Sequence, residues 1–298
     1  MSILLDRSNR VLVQGVTGQM GTFFVDDARN YGTRIVAGVS PGRAGATVGD
    51  VPVYASVRAA REATGADTAM VFVPPAAVLG AVMEAIEGGC RLIVATADEM
   101  PVLDAIEVRA AALANGAVFV GPNTPGLISP GKAKMGFMPS FCYTQGNVGV
   151  ISRSGSLSYE GCKRLTLAGI GQSTVIGIGG DPVKGTTAAE ALELFHHDPE
   201  TKAVLYLGEI GGSEELFVAE YASRSDAKPV AALIVGHTAP PGKKMGHAAA
   251  LIGSKDEGHA AKQKLLSDAG VFVAAGLAQV VASMRHALAS GVKSTAVA

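Results

Sequence analysis

The feature that most constrains the fold is a repeated alternation of short apolar runs with longer helical stretches. Five runs rich in apolar residues alternate with helical patterns over the first 120 residues. Strands that are apolar throughout are buried on both faces of a parallel sheet, which crossover helices cover. The alternation starts again near residue 148. The sequence therefore predicts an α/β fold with two consecutive doubly wound domains.

The pattern also predicts where the elements and domains begin and end. In the first domain we predict strands over residues 11–14, 34–39, 68–73, 91–96 and 117–120, with helices over 22–30, 57–64, 76–88 and 103–115. In the second we predict strands over 148–152, 173–178, 203–207, 229–235 and 271–274, with helices over 156–168, 186–196, 214–223, 259–268 and 277–290. Four prolines and several glycines in residues 122–146 predict an irregular connection. The expected domains are Rossmann-like over 1–122 and flavodoxin-like over 147–298, joined by residues 123–146.

Composition excludes several classes of function. The chain has a net charge of −1, whereas a general nucleic-acid binder carries an excess of positive charge. No apolar run is long enough for a membrane span. The three cysteines show no metal-binding or CxxC spacing, which is typical of a reducing compartment. We therefore expect a cytoplasmic protein without a nucleic-acid partner, a membrane partner or a metal ligand set of its own.

A glycine-rich turn follows the first strand and opens a helix. Its sequence, Gly15-Val16-Thr17-Gly18-Gln19-Met20-Gly21, lets the backbone approach a phosphate at a helix N-terminus. A domain that binds NAD has an acid after the second strand, whereas this chain has Arg43 there. A cation at that place fits the ribose phosphate that both NADP and coenzyme A carry. The alternative interpretation of the glycine-rich turn is a tight turn that binds no ligand. The alternative for Arg43 is a loop arginine that contacts only solvent.

A second glycine-rich segment resembles a P-loop without being one. Residues 126–133 nearly match its spacing, but Ala133 stands where the loop needs a hydroxyl for Mg²⁺. The segment also lies in the connection and not between a strand and a helix. We therefore expect any nucleoside triphosphate to be bound mainly by another chain.

Two side chains are the candidates for catalysis. His247 stands between Gly246 and Ala248, which leave room for a phosphoryl group on the ring. Glu209 ends an apolar strand, where it can hold one ring nitrogen and leave the other nucleophilic. A structural loop histidine and an ordinary helix-entry charge are the alternatives.

The start of the helix after residue 152 is the candidate phosphate site. Its residues are Ser154, Gly155 and Ser156. Backbone N–H groups there stabilise a phosphoryl group without a cationic side chain.

Several co-linear motifs give the chain a family resemblance over essentially its whole length. It resembles the α subunit of succinate–CoA ligase. The motifs are Gln14-Gly15-Val16-Thr17-Gly18, Gly121-Pro122-Asn123, Ser152-Arg153-Ser154-Gly155, Gly177-Ile178-Gly179-Gly180-Asp181-Pro182, Gly208-Glu209-Ile210-Gly211-Gly212 and Met245-Gly246-His247-Ala248.

The resemblance implies a CoA-binding domain followed by a ligase domain in which His247 is phosphorylated and Glu209 holds the phosphohistidine. It implies that Tyr159 borders the carboxylate substrate, and that an ATP-grasp β subunit supplies ATP or GTP with Mg²⁺. The residues it implies for coenzyme A are Thr17, Gly18, Gln19, Met20, Arg43, Thr96, Ala97 and Asp98.

Three departures from the family pattern leave the acid substrate open. Arg43 replaces the usual lysine, Thr96-Ala97-Asp98 replaces Ile-Thr-Glu, and Thr124 replaces a cysteine. Succinate is the default small dicarboxylate, and a malate–CoA ligase is the nearest alternative. A non-catalytic CoA-binding protein is a further possibility, and Arg43 alone favours an NADP-dependent reductase.

Overall fold

The chain forms two compact units. The computed structural model describes residues 2–240 and 242–291. The first unit holds Leu4–Met138 and Val183–Thr186, and the second unit holds the other described residues. The first unit thus extends beyond residue 122, and the domain boundaries given above stay predictions.

The first unit is built around a parallel sheet. Its strands up to residue 120 are β1 (Val11–Gln14), β2 (Ile35–Val39), β3 (Thr47–Val48), β4 (Val51–Tyr54), β5 (Thr68–Val71), β6 (Leu92–Ala95) and β7 (Val118–Val120). Its helices are α1 (Gln19–Tyr31), α2 (Val57–Thr64), α3 (Val78–Glu87) and α4 (Val102–Ala114). Helix α2 begins where Ser56 Oγ accepts from the backbone N–H of Ala59 at 3.2 Å, and it ends at Gly65 in the left-handed conformation.

The strand order confirms the Rossmann-like prediction. The six parallel strands lie in the order β4-β2-β1-β5-β6-β7, which is 3-2-1-4-5-6 when they are counted along the chain without β3. The short β3 pairs antiparallel to β4. The order reverses between β1 and β5, and ligands of such sheets bind at that switch point.

A hairpin occupies part of the predicted connection. Strands β8 (Gly126–Ser129) and β9 (Ala133–Gly136) pair antiparallel, and the Lys132 N–H donates to Ser129 O at 2.9 Å. Gly131, at φ +76°, closes the turn. The expectation of an irregular segment was therefore wrong here. The P-loop-like residues lie in a β-hairpin, where no helix N-terminus follows them.

The second unit holds five parallel strands and five α-helices among its described residues. The strands are β10 (Gln145–Ser152), β11 (Gln172–Gly177), β12 (Ala203–Glu209), β13 (Val230–Val235) and β14 (Phe272–Ala274). The helices are α5 (Gly155–Leu167), α6 (Ala188–His197), α7 (Glu214–Ala222), α8 (His259–Asp268) and α9 (Val280–Ser290). The order β11-β10-β12-β13-β14 reads 2-1-3-4-5 along the chain, which confirms the flavodoxin-like prediction.

The described helices are short. The longest have 13 residues, whereas a helix needs about 20 to cross a bilayer. Across residues 2–240 and 242–291 we find no helix with the length and apolarity of a membrane span.

Candidate active site

The glycine-rich turn lies at the switch point of the first sheet. Gly15 follows β1 at φ +74°, and a Cβ there would lie 2.1 Å from the carbonyl oxygen of Phe72. At Gly21 a Cβ would lie 2.4 Å from the Gly15 carbonyl oxygen. Both positions therefore need glycine to bring the start of α1 close to the ends of β1 and β5.

The start of α1 is open to an anionic ligand. Gly18 caps the helix without a side-chain hydrogen bond, and the first turn contains no acid. The residues from Thr17 to Met20 are exposed, and Thr17 Oγ1 lies 3.0 Å from Ser40 Oγ beyond β2. Unpaired backbone N–H groups and the helix dipole favour phosphate here.

A cleft of about 540 Å³ adjoins this turn. Arg43 and Thr17 lie on its wall, so the structure brings these two predicted residues together. The full lining is Thr17, Thr22, Arg43, Ala46, Thr47, Val48 and Gly49. Sequence reasoning missed the four residues from Ala46 to Gly49, because it did not predict the β3–β4 pair that carries them.

Residues 96–98 follow β6 at the same edge of the sheet but are not part of that lining. Thr96 and Ala97 are partly buried and Asp98 is exposed. The Ala97 carbonyl accepts from the N–H of Asn123 at 2.8 Å. This bond fixes the loop after β6, and the side chain of Asp98 is open to solvent.

The second sheet places the predicted catalytic residues at its own switch point. Strands β10 and β12 are parallel neighbours, with Ser152 opposite Leu207. The chain therefore leaves β10 toward Ser154 beside the place where β12 ends at Glu209. His247 comes from the loop after β13, which is the neighbour of β12 on its other side. The segments that follow three neighbouring strands of the sheet, β10, β12 and β13, thus meet in one crevice.

His247 and Glu209 form a close hydrogen-bonded pair. His247 Nδ1 lies 2.8 Å from Glu209 Oε2 and 3.0 Å from Oε1. The carboxylate can only accept, so Nδ1 carries the hydrogen and Nε2 of the neutral ring has the free electron pair. No other residue within 2–240 and 242–291 forms a hydrogen bond with this imidazole. The pair presents Nε2 as a nucleophile.

The hydrogen bond to Glu209 raises the pKa of His247 above its ordinary value. Burial of the ring opposes this shift, as does the positive charge of Arg153. The imidazole is partly exposed, with 29% of its side chain accessible, whereas the Glu209 side chain is 8% accessible. A buried carboxylate therefore holds a ring that remains reachable from solvent.

A glycine makes room for the ring on its other side. A Cβ at Gly180 would lie 2.4 Å from His247 Cγ and 2.5 Å from Nδ1. The Gly180 carbonyl also accepts from the Ala249 N–H at 3.2 Å, which ties the histidine loop to this segment. Gly180 thus belongs to the site because only a bare backbone fits beneath the imidazole.

We expect Gly180→Ala to displace the imidazole from Glu209 and so to lower the pKa of His247. The added methyl group costs about 1–3 kcal/mol of stability as overpacking. NMR titration of the His247 ring and thermal unfolding measure the two effects. Gly276→Ala is the matched control, since a Cβ there meets nothing within 4 Å and its φ is −173°. An unchanged His247 titration in Gly180→Ala contradicts the prediction.

The predicted phosphate residues open α5. Ser154 caps the helix and its Oγ accepts from the Leu157 N–H at 3.5 Å, while Ser156 Oγ lies 3.4 Å from Ser154 Oγ. The first turn contains no acid, so the N–H groups of Gly155 and its neighbours remain favourable for an anion. Tyr159, one turn further on, is partly buried, and burial raises its pKa, so its phenol keeps its proton.

Sequence reasoning missed three charged side chains next to this site. Arg153 Nη2 lies 3.2 Å from Glu209 Oε1, and its neighbours Lys262 and Glu215 are also almost fully buried. Arg153 and Lys262 contact the turn that carries Glu209, so the expectation that peptide dipoles hold the phosphoryl group without a cationic side chain stays a prediction. The signal was present in Arg153 itself, a long cation between two serines directly after a buried strand.

Solved structures confirm the fold. ATP citrate lyase from Methanothrix soehngenii superposes with a TM-score of 0.86 at 22% identity, covering 97% of this chain and 51% of that one. An acetyl-coenzyme A synthetase from Ca. Korarchaeum cryptofilum gives 0.75 at 22% identity, covering 92% of this chain and 59% of that one. The chain thus spans little more than half of these larger proteins, and the likeness is one of fold.

Sequence families and curated relatives give the closer relationship. The CoA binding domain family matches residues 6–98 and the CoA-ligase family matches residues 151–283. Succinate–CoA ligase [ADP-forming] subunit alpha 1 of Archaeoglobus fulgidus is 46% identical over 97% of this chain and 99% of its own length. The alpha subunit of Aquifex aeolicus is 46% identical over 92% of this chain and 90% of its own. The chain therefore belongs to the family of succinate–CoA ligase α subunits.

Proposed function

We propose that the chain is the α subunit of a ligase that joins a small dicarboxylate, succinate by default, to coenzyme A at the expense of ATP or GTP. The observation that carries the proposal is the His247–Glu209 pair, which leaves Nε2 as a free nucleophile. A covalent relay through imidazole divides one difficult condensation into easier transfers.

The relay takes three steps. His247 Nε2 attacks the terminal phosphorus of the nucleotide, and the bond from that phosphorus to the bridging oxygen breaks. The nucleoside diphosphate leaves. A carboxylate oxygen of the acid then attacks the same phosphorus, which frees the imidazole and gives an acyl phosphate. In the last step the CoA sulfur attacks the acyl carbon, phosphate leaves, and the thiol proton is lost to solvent or phosphate. Glu209 accepts from Nδ1 throughout, so the ring becomes cationic without leaving its place.

Each group of residues has a proposed part in this relay. Ser154, Gly155 and Ser156 hold the phosphoryl group through the N-terminus of α5, and the phenol of Tyr159 borders the acid. The residues proposed for coenzyme A are Thr17, Gly18, Gln19, Met20, Arg43, Thr96, Ala97 and Asp98. The cleft beside Arg43 and the open start of α1 fit its phosphates, which supports this assignment.

The nucleotide is proposed to bind a partner, an ATP-grasp β subunit, with Mg²⁺ neutralising its phosphate charge. The hairpin at residues 126–136 supports this division, because the P-loop-like residues offer no strand-to-helix turn. We place the protein in the cytoplasm, where thiols such as the free Cys90, Cys142 and Cys162 stay reduced.

The test is transfer of label in the chain co-expressed with its partner subunit. We expect γ-³²P from ATP or GTP to give an acid-labile, base-stable label that is discharged when CoA and the correct acid are added together. A panel of succinate, malate and longer dicarboxylates identifies the acid. A chain that CoA stabilises thermally but that takes no label contradicts the ligase and favours the non-catalytic CoA-binding protein.

A further inference from the structure

Glu209 and three charged side chains behind it form a buried cluster. Arg153 follows β10, Glu209 ends β12, Glu215 lies in the first turn of α7, and Lys262 lies in α8. Their exposed fractions are 1%, 6%, 1% and 2%. Two cations and two anions balance, so the cluster carries no net charge. Charged groups are rarely this deep unless they are paired.

Both cations bind the same two backbone oxygens. Arg153 Nη1 donates to the carbonyls of Glu209 at 3.1 Å and Gly211 at 2.7 Å. Lys262 Nζ donates to the same carbonyls at 3.0 and 2.7 Å, and its third hydrogen goes to Glu215 Oε2. Each carbonyl thus uses both of its lone pairs, and the ammonium uses all three of its hydrogens. The turn that carries Glu209 is held from two directions.

Glu215 anchors these cations to the sheet. Its Oε1 accepts from the hydroxyl of the fully buried Tyr206 at 2.8 Å and lies 3.6 Å from Arg153 Nη1. Tyr206 lies in β12, three residues before Glu209. The cluster therefore connects the interior of β12 to the turn at its end. Burial lowers the pKa of Lys262, and the adjacent Glu215 offsets part of this shift.

The side chain of Glu209 remains available to the histidine. Arg153 Nη2 is 3.2 Å from Oε1, but neither Nη2 nor Nε of Arg153 has a hydrogen-bond partner among residues 2–240 and 242–291. Both carboxylate oxygens of Glu209 accept from the one N–H at His247 Nδ1. Arg153 supplies a counter-charge without competing for these bonds.

We propose that Lys262 and Arg153 are positioning residues, which clamp the Glu209–Gly211 turn so that the carboxylate faces His247 Nδ1 in one orientation and fixes the ring tautomer. Buried ion pairs add little stability compared with apolar side chains of the same volume, so stability alone does not account for the cluster. Orientation of a group that holds a reacting side chain is the better-supported role. The inference deepens the proposed function and rests on it.

The test removes one cation and its counter-charge together. The variant Lys262→Met/Glu215→Gln keeps the charge of the cluster balanced but releases both carbonyls from the ammonium. Its matched control is Lys264→Met/Asp268→Asn, which removes an exposed ion pair of 2.7 Å from the same helix. Both are prepared with the partner subunit and measured at a temperature at which circular dichroism shows them folded.

Two measurements are made on each variant. The ¹⁵N shifts of the His247 ring report the tautomer above the pKa of the imidazole, and acid-labile ³²P reports the rate of phosphorylation. In the clamp variant we expect the Nδ1–H form to lose its dominance and the rate to fall about 10–100-fold. The nucleotide concentration for half-maximal rate stays within about twofold, because no nucleotide contact is removed. The control resembles the original chain in both measurements.

The outcomes separate the clamp from the function it serves. A clamp variant with the original tautomer overturns the inference, whether its rate falls or not. A changed tautomer with an unchanged rate supports the clamp but contradicts the role of the tautomer in the proposed function. If the original chain takes no label at His247, the proposed function fails, whereas the ¹⁵N shifts still decide the clamp.

Discussion

Replacing His247 by alanine is expected to abolish the acid-labile phosphoryl label and to lower the ligase rate by more than about 10⁴-fold. Losses of this size follow when a covalent nucleophile is removed, because no neighbouring group takes over the bond. The ring is partly exposed and lies in a loop, so its removal leaves no large buried cavity, and above its pKa the neutral ring has no ionic interaction with Glu209 to lose. We therefore expect the thermal midpoint to change little and protection by CoA to persist, since the residues proposed for coenzyme A lie in the first unit.

The control is His237→Ala. This histidine is exposed in the same connection after β13, and its nearest aromatic neighbour is His259, with 5.9 Å between ring centroids. It should retain both label and activity. Label that remains in His247→Ala, or that disappears in His237→Ala, contradicts the assignment of the phosphorylated residue.

Two helices were predicted to the residue. Helices α2 and α8 begin and end where the sequence analysis placed them. For α2 the reason is local, because Ser56 caps its start and Gly65 ends it within the same ten residues. Central strands such as β1 and β12 are buried throughout and mostly apolar, and this property is visible without any knowledge of the partner strands.

The elements that sequence reasoning missed depend on partners far along the chain. Strand β3 has two residues and β4 has four including Pro52, so neither gives a periodic pattern. Their pairing is decided by β2, which β4 joins as a parallel neighbour. Likewise β8 and β9 lie among prolines and glycines that indicate a loop, and pairing with other strands, including each other, makes them strands.

The same distinction holds within the site. His247 and Glu209 were found because each has a local signal, a small-residue loop for one and the end of an apolar strand for the other. Lys262 has none, since it reads as one more charged position on α8 and becomes significant only when Glu209, 53 residues away, is brought beside it. A buried charge is recognised from the groups that pair with it, and the spacing of residues in the sequence does not reveal those groups.

Replacing Glu209 by glutamine is expected to lower the rate of phosphorylation about 10²–10⁴-fold while leaving the nucleophile in place. An amide can turn its NH₂ toward Nδ1, which then accepts, so the hydrogen moves to Nε2 and the nucleophilic electron pair is lost. A comparable exchange of carboxylate for amide behind a catalytic histidine has an effect of this order. Removal of the buried charge also leaves Arg153 without one partner, which costs about 3 kcal/mol of stability.

The effects of Glu209→Gln on stability and on the rate of phosphorylation both depend on pH. The carboxylate of Glu209 raises the pKa of His247, so its interaction with the imidazolium stabilises the fold below pH 6.5 and is lost as the pH rises through the raised pKa. Glu209→Gln removes this contribution, and its loss of stability is therefore larger at acid pH than at alkaline pH. The rate of phosphorylation needs the neutral ring, so its rise with pH moves to lower pH in the variant, although the plateau is lower.

The control for this variant is Glu193→Gln, which removes a carboxylate from another histidine. Glu193 Oε1 lies 3.2 Å from His197 Nε2 on an exposed face of α6, where solvent screens the interaction. Its rate and pH profile should match those of the original chain. If Glu209→Gln keeps the original rate, or if its rate profile moves to higher pH, the carboxylate does not set the state of the imidazole. In that case the relay requires another residue to hold Nδ1.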